Sequence, residues 1–590
     1  MRNETRHRQW NRMRPVALVM ATMLGAGGNA QAFNIDVDNE DIEIRWDNTI
    51  RYNAGVRVKN RDNLIGNNIA SDEGTYLFDK GDLVTNRVDL FSEFDFAWKK
   101  TLGFRVSAAG WYDAAYGDDS GTNPKFASIS SYPNQKFSNY TKRFYEGPSG
   151  EILDAFVFAN FDVGETPVKV RAGRHTVFWG ESLFLGGALH GISYSQMPLD
   201  LQKGFATPGV EAKELFRPLN QVSGQVQVTD NLSLAAQYFL EWEAYRYPEG
   251  GTYLGPVDFA FNGPERVLLA PGVGYTRGNP FEPDQRNGEF GLNARWSPEG
   301  LDGTVGVYYR RYADKLPQGL VTQQTLRNVG TAARPNFVPL SAFSQYNLIY
   351  ADGIDLYGVS FAKNIGGISF GSELSYRHNT PLLSKILGVP GTNPFNVPVP
   401  GEGQTTGPRG NTIHGLVNAV GIVPDTPVFD GATWAVELVW SQWLDVTSGA
   451  ETFQAVGYKG CTFGTYKPVG DKWDGCATKN YVGMGASFTP TWYQVMPGVD
   501  MSAPLTFSMG LSGNAATTFG GNQGNGNFSA GLGFDIFQKH RVDLKYIGYF
   551  GRINDYGTSG ALGAQNITQN GFTTLLKDRD FISLTLKTTF

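Results

Sequence analysis

Residues 581–590 read FISLTLKTTF. Ile582, Leu584, Leu586 and Phe590 fall on one face of an extended chain, with Thr588 among them; Ser583, Thr585, Lys587 and Thr589 fall on the other. Side chains alternate across a strand, so the stretch predicts a β-strand with one apolar and one polar face. Its length suits a strand that crosses a bilayer at a tilt, which takes about 9–11 residues.

The same period of two recurs upstream. Ile44, Trp46, Ile50, Tyr52 and Val56 oppose Arg45, Asp47, Arg51 and Arg57, and Val88, Leu90, Phe94 and Phe96 oppose Arg87, Asp89, Glu93 and Asp95. Candidate strands cover 44–58, 87–99, 101–115, 151–162, 167–177, 218–229, 230–243, 286–297 and 302–314. They continue at 354–364, 367–378, 411–422, 430–443, 481–494, 504–516, 527–538, 540–552 and 577–590. That is 18 strands, with 16 as the alternative count and 411–422 as the least regular member. Short connections alternate with long ones near 59–86, 116–150, 245–285, 315–353, 379–410, 445–480 and 553–576. The pattern predicts an all-β, transmembrane antiparallel barrel over 44–590, its apolar face toward lipid, its polar face toward a lumen and its short turns periplasmic. A soluble sandwich has shorter strands, near 5 or 6 residues. Trp46, Trp98, Trp111, Tyr112, Trp242, Trp296, Trp440, Trp443 and Tyr549 lie near strand ends and are expected in two interfacial girdles.

The N-terminus fits an exported barrel. Arg2, Arg6, Arg8, Arg12 and Arg14 precede a short apolar run over 15–28, and Ala30 and Ala32 place small residues at a cleavage site. This order predicts a signal peptide over 1–32, cut after Ala32, and a periplasmic segment over 33–43. Losing five arginines and one glutamate moves the formal net charge from −6 to −10, which disfavours nucleic acid as a partner. No later run approaches 18 apolar residues, so a helical membrane protein is excluded. Outer-membrane lipid is then the surrounding medium, and the terminal aromatic Phe590 is read as part of the signal recognised by the β-barrel assembly machinery. Cys461 and Cys476 are an even, closely spaced pair and are expected to form one disulfide; no His lies between them to complete a metal site.

One stretch, 177–217, does not alternate. It is mixed in polarity and punctuated by Gly186, Gly187, Pro198, Pro208 and Gly209, with Leu199, Phe205, Val210, Leu215 and Phe216 unsuited to water. Two readings stand: a surface loop, or a segment folded inward as a plug or gate. Lumen and gate candidates are Arg45, Arg51, Arg57, Arg171, Arg174, His175, Glu181, Asp200, Lys203, Glu211, Lys213 and Glu214. The arginines at alternate positions either guide an anionic solute or pair with carboxylates across strands, and pairing is favoured because a polar lumen must satisfy its own charges. No catalytic set stands out: His190 and Ser193 lack an adjoining carboxylate, and no histidine pair has metal-ligand spacing. The expectation is a protein that is not an enzyme, with neither cofactor nor metal.

GRHTVFWGES (173–182), Gly186-Gly187, Pro198-Leu199-Asp200 and PGVEAKE (208–214) together resemble the family catalogued as domain of unknown function 1302, over nearly the whole mature chain. His175 stands where members of that family often carry Gln. The resemblance implies an outer-membrane barrel associated with an exported periplasmic or lipoprotein partner and an inner-membrane exporter. It also implies a hydrophobic small-molecule solute such as a lipid, a sterol or an aromatic compound. The alternatives are a structural or adhesive barrel with binding loops and, behind that, an outer-membrane hydrolase.

Overall fold

The computed structural model describes residues 33–590 apart from 36, 208–211, 272, 286–287, 324–325, 329–330, 332–336, 340–342, 386, 389–404, 406 and 561. The signal-peptide segment 1–32 and Glu211 lie outside the described residues, as does the side chain of Lys213.

Eighteen strands form one closed antiparallel barrel. They are β1 (Ile42–Arg57), β2 (Leu83–Trp98), β3 (Leu102–Asp113), β4 (Ser149–Val163), β5 (Thr166–His175) and β6 (Leu219–Thr229). Next come β7 (Leu232–Phe239), β8 (Phe290–Trp296), β9 (Gly303–Tyr312), β10 (Ile354–Ile365), β11 (Ile368–Pro381) and β12 (Arg409–Val423). The last are β13 (Gly431–Ser448), β14 (Asn480–Met496), β15 (Val499–Ser502 with Leu505–Gly513), β16 (Gly526–Ile536), β17 (His540–Phe550) and β18 (Phe581–Thr589). Each pairs with its neighbour in the chain, and β18 closes on β1 from Thr49↔Thr589 to Arg57↔Phe581. Phe590 completes the seam through two backbone hydrogen bonds with Asn48. Pro504 has no N–H to give a ladder, and β15 is in two pieces at that point. Closure leaves no strand edge, the condition for β-structure in lipid, where unpaired backbone groups have no water to bond. Among the described residues no helix is long and apolar enough to cross a membrane.

The predicted faces sort as expected. Leu90, Val307, Leu374 and Leu544 point outward and are 45, 53, 47 and 47% exposed, whereas inward Arg51, Asn53, Ser375 and Arg377 are 0–1% exposed. A barrel of this size leaves an open lumen when only wall side chains fill it. Inward residues this buried therefore need a filler. Trp46, Trp98 and Trp296 sit on the outer surface as girdle residues, but Trp111, Trp242 and Tyr549 do not: all three are buried beneath loops. Trp111 and Tyr549 occupy the ends of β3 and β17 nearest the long loops, and Trp242 packs edge-on against Tyr350. Trp111 also donates its indole N–H to the Arg143 carbonyl.

The long connections other than 176–218 leave one end of the barrel, and their described residues pack into a cap. One cluster joins Phe78, Tyr116, Tyr132, Phe137, Tyr145 and Tyr253; another joins Leu382, Phe453, Ala455 and Ala477. Cys461 and Cys476 are bonded as a disulfide within the 449–479 connection. Under the cap, Asp72, Glu73 and Asp258 converge. Asp72 accepts from the Asn123 N–H at 2.7 Å, Glu73 accepts from Ser131, and Asp258 accepts from the Glu73 N–H at 3.2 Å. Burial, with the neighbouring Asp72 charge, pushes the Glu73 carboxyl up to about 8. A carboxyl whose pKa is raised by folding stabilises fully below its ordinary value of 4.5, and that contribution is lost as pH rises through about 8. Amide exchange at 71–73 and 123–132, corrected for intrinsic rate, is therefore expected to accelerate between pH 7 and 9 while the strands stay protected. Unchanged protection across that range would refute the hub.

Candidate functional site

The lumen is filled by the described residues of the connection between β5 and β6, 176–218. It turns inward after His175, forms the short helices α1 (Leu185–His190), α2 (Leu201–Ala206) and α3 (Ala212–Leu215), and returns to the wall at Leu219. Residues 189–203 are buried without interruption. Trp179, Leu189, Ile192, Tyr194, Leu199 and Leu201 make its apolar core with Tyr308 and Tyr312 of β9 and Leu356 of β10.

Its first half is held by carboxylates on the wall that accept backbone N–H groups. Glu437 of β13 accepts from Leu183 at 2.7 Å, Phe184 at 3.2 Å and Gly187 at 3.0 Å. Glu373 of β11 accepts from Glu181 and, at 2.6 Å, from Ile192. Two glycines permit this approach. A Cβ at Gly187 would lie 2.3 Å from Glu437 Oε1, and one at Gly180, whose φ is +104°, would lie 2.4 Å from Glu373 Oε1. Guanidinium groups satisfy the carbonyls that remain: Arg377 of β11 donates to Leu189 and Gly191 at 3.1 Å, and Arg310 of β9 donates to Ile192 at 2.8 Å and Tyr194 at 2.7 Å.

The second half is held by ion pairs to the opposite wall. Glu214 receives both terminal nitrogens of Arg51 on β1, at 2.9 and 2.7 Å, and Lys203 Nζ at 2.9 Å. These paired cations outweigh burial and hold the Glu214 carboxyl down at about 2. Asp200 caps α2 by accepting from the Lys203 N–H and pairs with Arg246 at 3.1 Å, which also holds Glu151 at 2.7 Å. Arg174 pairs with Glu241 and Glu243 at 3.2 and 3.1 Å. In an 18-strand ring β1 lies across from β10, so the segment is pinned to both sides of the lumen.

Two histidines join it to a third place. His190 Nε2 lies 2.6 Å from the Gly520 carbonyl and must donate to it; His190 Nδ1 then accepts from His414 Nδ1–H at 2.9 Å, and His414 Nε2 accepts from Thr412 Oγ1 at 2.9 Å. Burial and the Arg377 charge push the His190 pKa down to about 4, consistent with a neutral ring.

The sequence candidates scatter around this framework. Arg51, Arg174, Asp200, Lys203 and Glu214 meet in or beside the second half. Glu181 is 3.8 Å from Arg295 at the short-turn side. Arg45 pairs with Asp47 at 2.5 Å near the short turns, whereas Arg57 lies at the other end of β1 and donates to the carbonyls of Thr75, Phe78 and Asp578. The arginines of β1 therefore form no ladder for an anion. Cross-strand pairing is realised in Arg105–Asp95 at 2.6 Å, but Arg45–Asp47 and Arg87–Asp89 pair along one strand, since side chains two apart share a face. Arg171 lies 5.6 Å from the Phe156 ring. His175 accepts from Ser223 Oγ at 2.7 Å and donates through Nδ1 to the Gly173 carbonyl, so its orienting partner is backbone and not a carboxylate. Among the described residues no group of three His, Cys, Asp or Glu side chains is placed to hold a metal ion. Sequence reading missed Glu373, Glu437, Arg310, Arg377 and Arg246. The signal available for the four on strands was a charge on the inward face, whereas Arg246, in the connection after β7, offered none.

Two chambers stand out, one at the short-turn end that Glu181 and Leu183 of the segment line, and one inside the cap lined by the long connections. The one at the short-turn end, about 580 Å³, is lined by Glu181, Leu183, Asp302, Lys363 and Asn418. The one at the long-loop end, about 530 Å³, is lined largely by aromatic and aliphatic side chains.

Among solved structures, OccAB1 of Acinetobacter baumannii aligns over 96% of this chain and 99% of its own at 9% identity and a TM-score of 0.40. OpdK of Pseudomonas aeruginosa, solved with vanillate, aligns over 93 and 98% at 10% identity and a TM-score of 0.37. No curated protein matches the sequence. The model of the family described as protein of unknown function (DUF1302) matches residues 13–590, and the chain belongs to that family.

Proposed function

We propose that the protein is an outer-membrane channel for hydrophobic or amphipathic small molecules, closed by 176–218. The observation that carries this reading is a segment pinned to opposite walls of the lumen, with a chamber at the short-turn end that its Glu181 and Leu183 line. Conduction requires one set of pins to release, and the carboxylate-to-backbone and ion-pair contacts are separate sets. The reading includes export through cleavage after Ala32, and a periplasmic or lipoprotein partner that passes solute between an inner-membrane exporter and the short-turn chamber. Replacing 183–195 by a short flexible linker is expected to raise single-channel conductance in planar bilayers several-fold and to increase solute flux into liposomes. Conductance and flux both equal to the intact protein would reject the channel.

A second reading is favoured by the packed cap with its disulfide: a structural or adhesive barrel whose loops bind at the cell surface. It requires loop trimming to abolish binding with permeability unchanged.

A further inference from the structure

We infer that the long-loop chamber is a binding site for a flat, apolar molecule that carries a hydrogen-bond donor, with Phe519 as the ring it stacks on. The site is independent of the channel proposal; only the onward movement of the ligand rests on that reading.

At about 530 Å³ the chamber has the size and apolar lining of small-molecule sites, with Phe259, Phe261, Phe519, Phe572, Leu348 and Leu383 among its walls. Its rings form a stack of three, whereas elsewhere under the cap edge-on and tilted pairs predominate and Trp111 stacks on Phe144 alone. Phe78 meets Tyr116 at 84° and Trp443 meets Phe453 at 88°, the edge-on packing of a closed core. At the chamber floor Tyr247 lies 4.4 Å from Phe519 at 16° and 5.3 Å from Phe261 at 9°. Phe519 also meets Phe572 at 5.3 Å and 45°, and the two rings line the chamber together, so a flat ligand would lie against Phe519 beside Phe572.

The backbone adds an independent sign. Phe261 and Phe519 have φ of +68° and +59°. Bulky residues seldom adopt the left-handed region, and such strain collects at ligand clamps. Here two of them, from separate connections, deliver their rings to one stack.

Polarity then narrows the ligand. Gln318 lines the chamber, is 3% exposed and donates through Nε2 to the Pro408 carbonyl, while its Oε1 has no partner among the described residues. A buried acceptor in that state calls for a donor, such as a hydroxyl on an otherwise apolar molecule. The floor is also coupled to the lumen, since Gly520, adjacent to Phe519, holds His190 of the inward segment.

The test uses the full chain in nanodiscs, with empty nanodiscs subtracted, and fluorescence titration by 1-hydroxypyrene, pyrene and cis-parinaric acid. One saturable site for 1-hydroxypyrene is expected, with pyrene about tenfold weaker. Phe519→Leu keeps apolar bulk and is expected to weaken 1-hydroxypyrene at least tenfold. Gln318→Leu is expected to bring 1-hydroxypyrene and pyrene within about twofold of each other. Equal binding by the intact protein and Phe519→Leu would overturn the proposal, as would tighter binding of cis-parinaric acid, which would mark an acyl-chain site. If the variant with 183–195 replaced still binds 1-hydroxypyrene while conductance never changes, the channel reading fails and the site stands.

Discussion

Glu214→Ala is expected to release the second half of the luminal segment and raise open probability in planar bilayers at least several-fold. The Arg51, Lys203 and Glu214 side chains are 1, 8 and 1% exposed, so the ionic contacts are formed almost without water. Both guanidinium nitrogens of Arg51 reach the carboxylate, the stronger geometry for such a pair. Removing the anion strands two buried cations, a loss of about 3–5 kcal/mol when one partner of a buried pair is taken away. Local disengagement of α2 and α3 into the lumen relieves that loss more cheaply than unfolding a closed barrel. The double change Arg51→Met with Glu214→Leu replaces charge by packing and is expected to close the channel again, because a buried pair exchanged for apolar groups is often neutral. Acid acts in the same direction. The Glu214 carboxyl is held at about 2, against an ordinary 4.5, so its contribution is complete above 4.5 and is lost only as pH falls toward 2. Glu214→Ala with unaltered conductance, together with unaltered protection of 199–206, would show that the pair does not hold the segment.

The barrel was legible because its physics is local. Every predicted strand, 411–422 included, overlaps one in the structure, since lipid on one side and a polar lumen on the other impose a period of two on each strand separately. The closing strand could be read from ten residues for the same reason. Contacts of 176–218 were less legible because they depend on what faces what across the lumen. Glu214 was found because its charge sits in an irregular segment, but its partner Arg51 is 163 residues away and could be chosen over Asp89 only with the fold in hand. Glu373 and Glu437 escaped notice because they bind backbone N–H groups, which leave no pattern in side-chain chemistry. Beyond their inward position the trace is indirect: at Gly187 and Gly180 carboxylate oxygens occupy the space a Cβ would take. Trp111 and Tyr549 were misplaced in the girdle by the same limit, since nearness to a strand end does not say which side of the wall a loop covers.

Glu437→Ala and Gly187→Ala are expected to give one phenotype from opposite sides of the same contact. The first removes the acceptor of three N–H groups; the Gly187 donor, left buried and unpaired, costs about 1–3 kcal/mol, and the part-buried Leu183 and Phe184 donors add less. The second keeps the carboxylate's charge but puts a methyl group where Oε1 lies, so the carboxylate and the helix must part. Because it changes no charge, Gly187→Ala separates loss of the hydrogen bonds from an electrostatic change in the lumen. Glu437→Gln keeps one acceptor oxygen and is expected to fall between wild type and Glu437→Ala. Amide exchange over 181–192 reports the contact directly, and the rise should appear there without loss of protection in β13. Combined with Glu214→Ala, which acts on the far wall through different partners, the effects should add within a few tenths of a kcal/mol, as distant sites do. Strong non-additivity would mean that the two halves of the segment leave the wall together, as one gate. Protection of 181–192 unchanged in both single variants would mean that apolar packing around Ile192 and Tyr194, and not the carboxylate cradle, keeps the segment in the lumen.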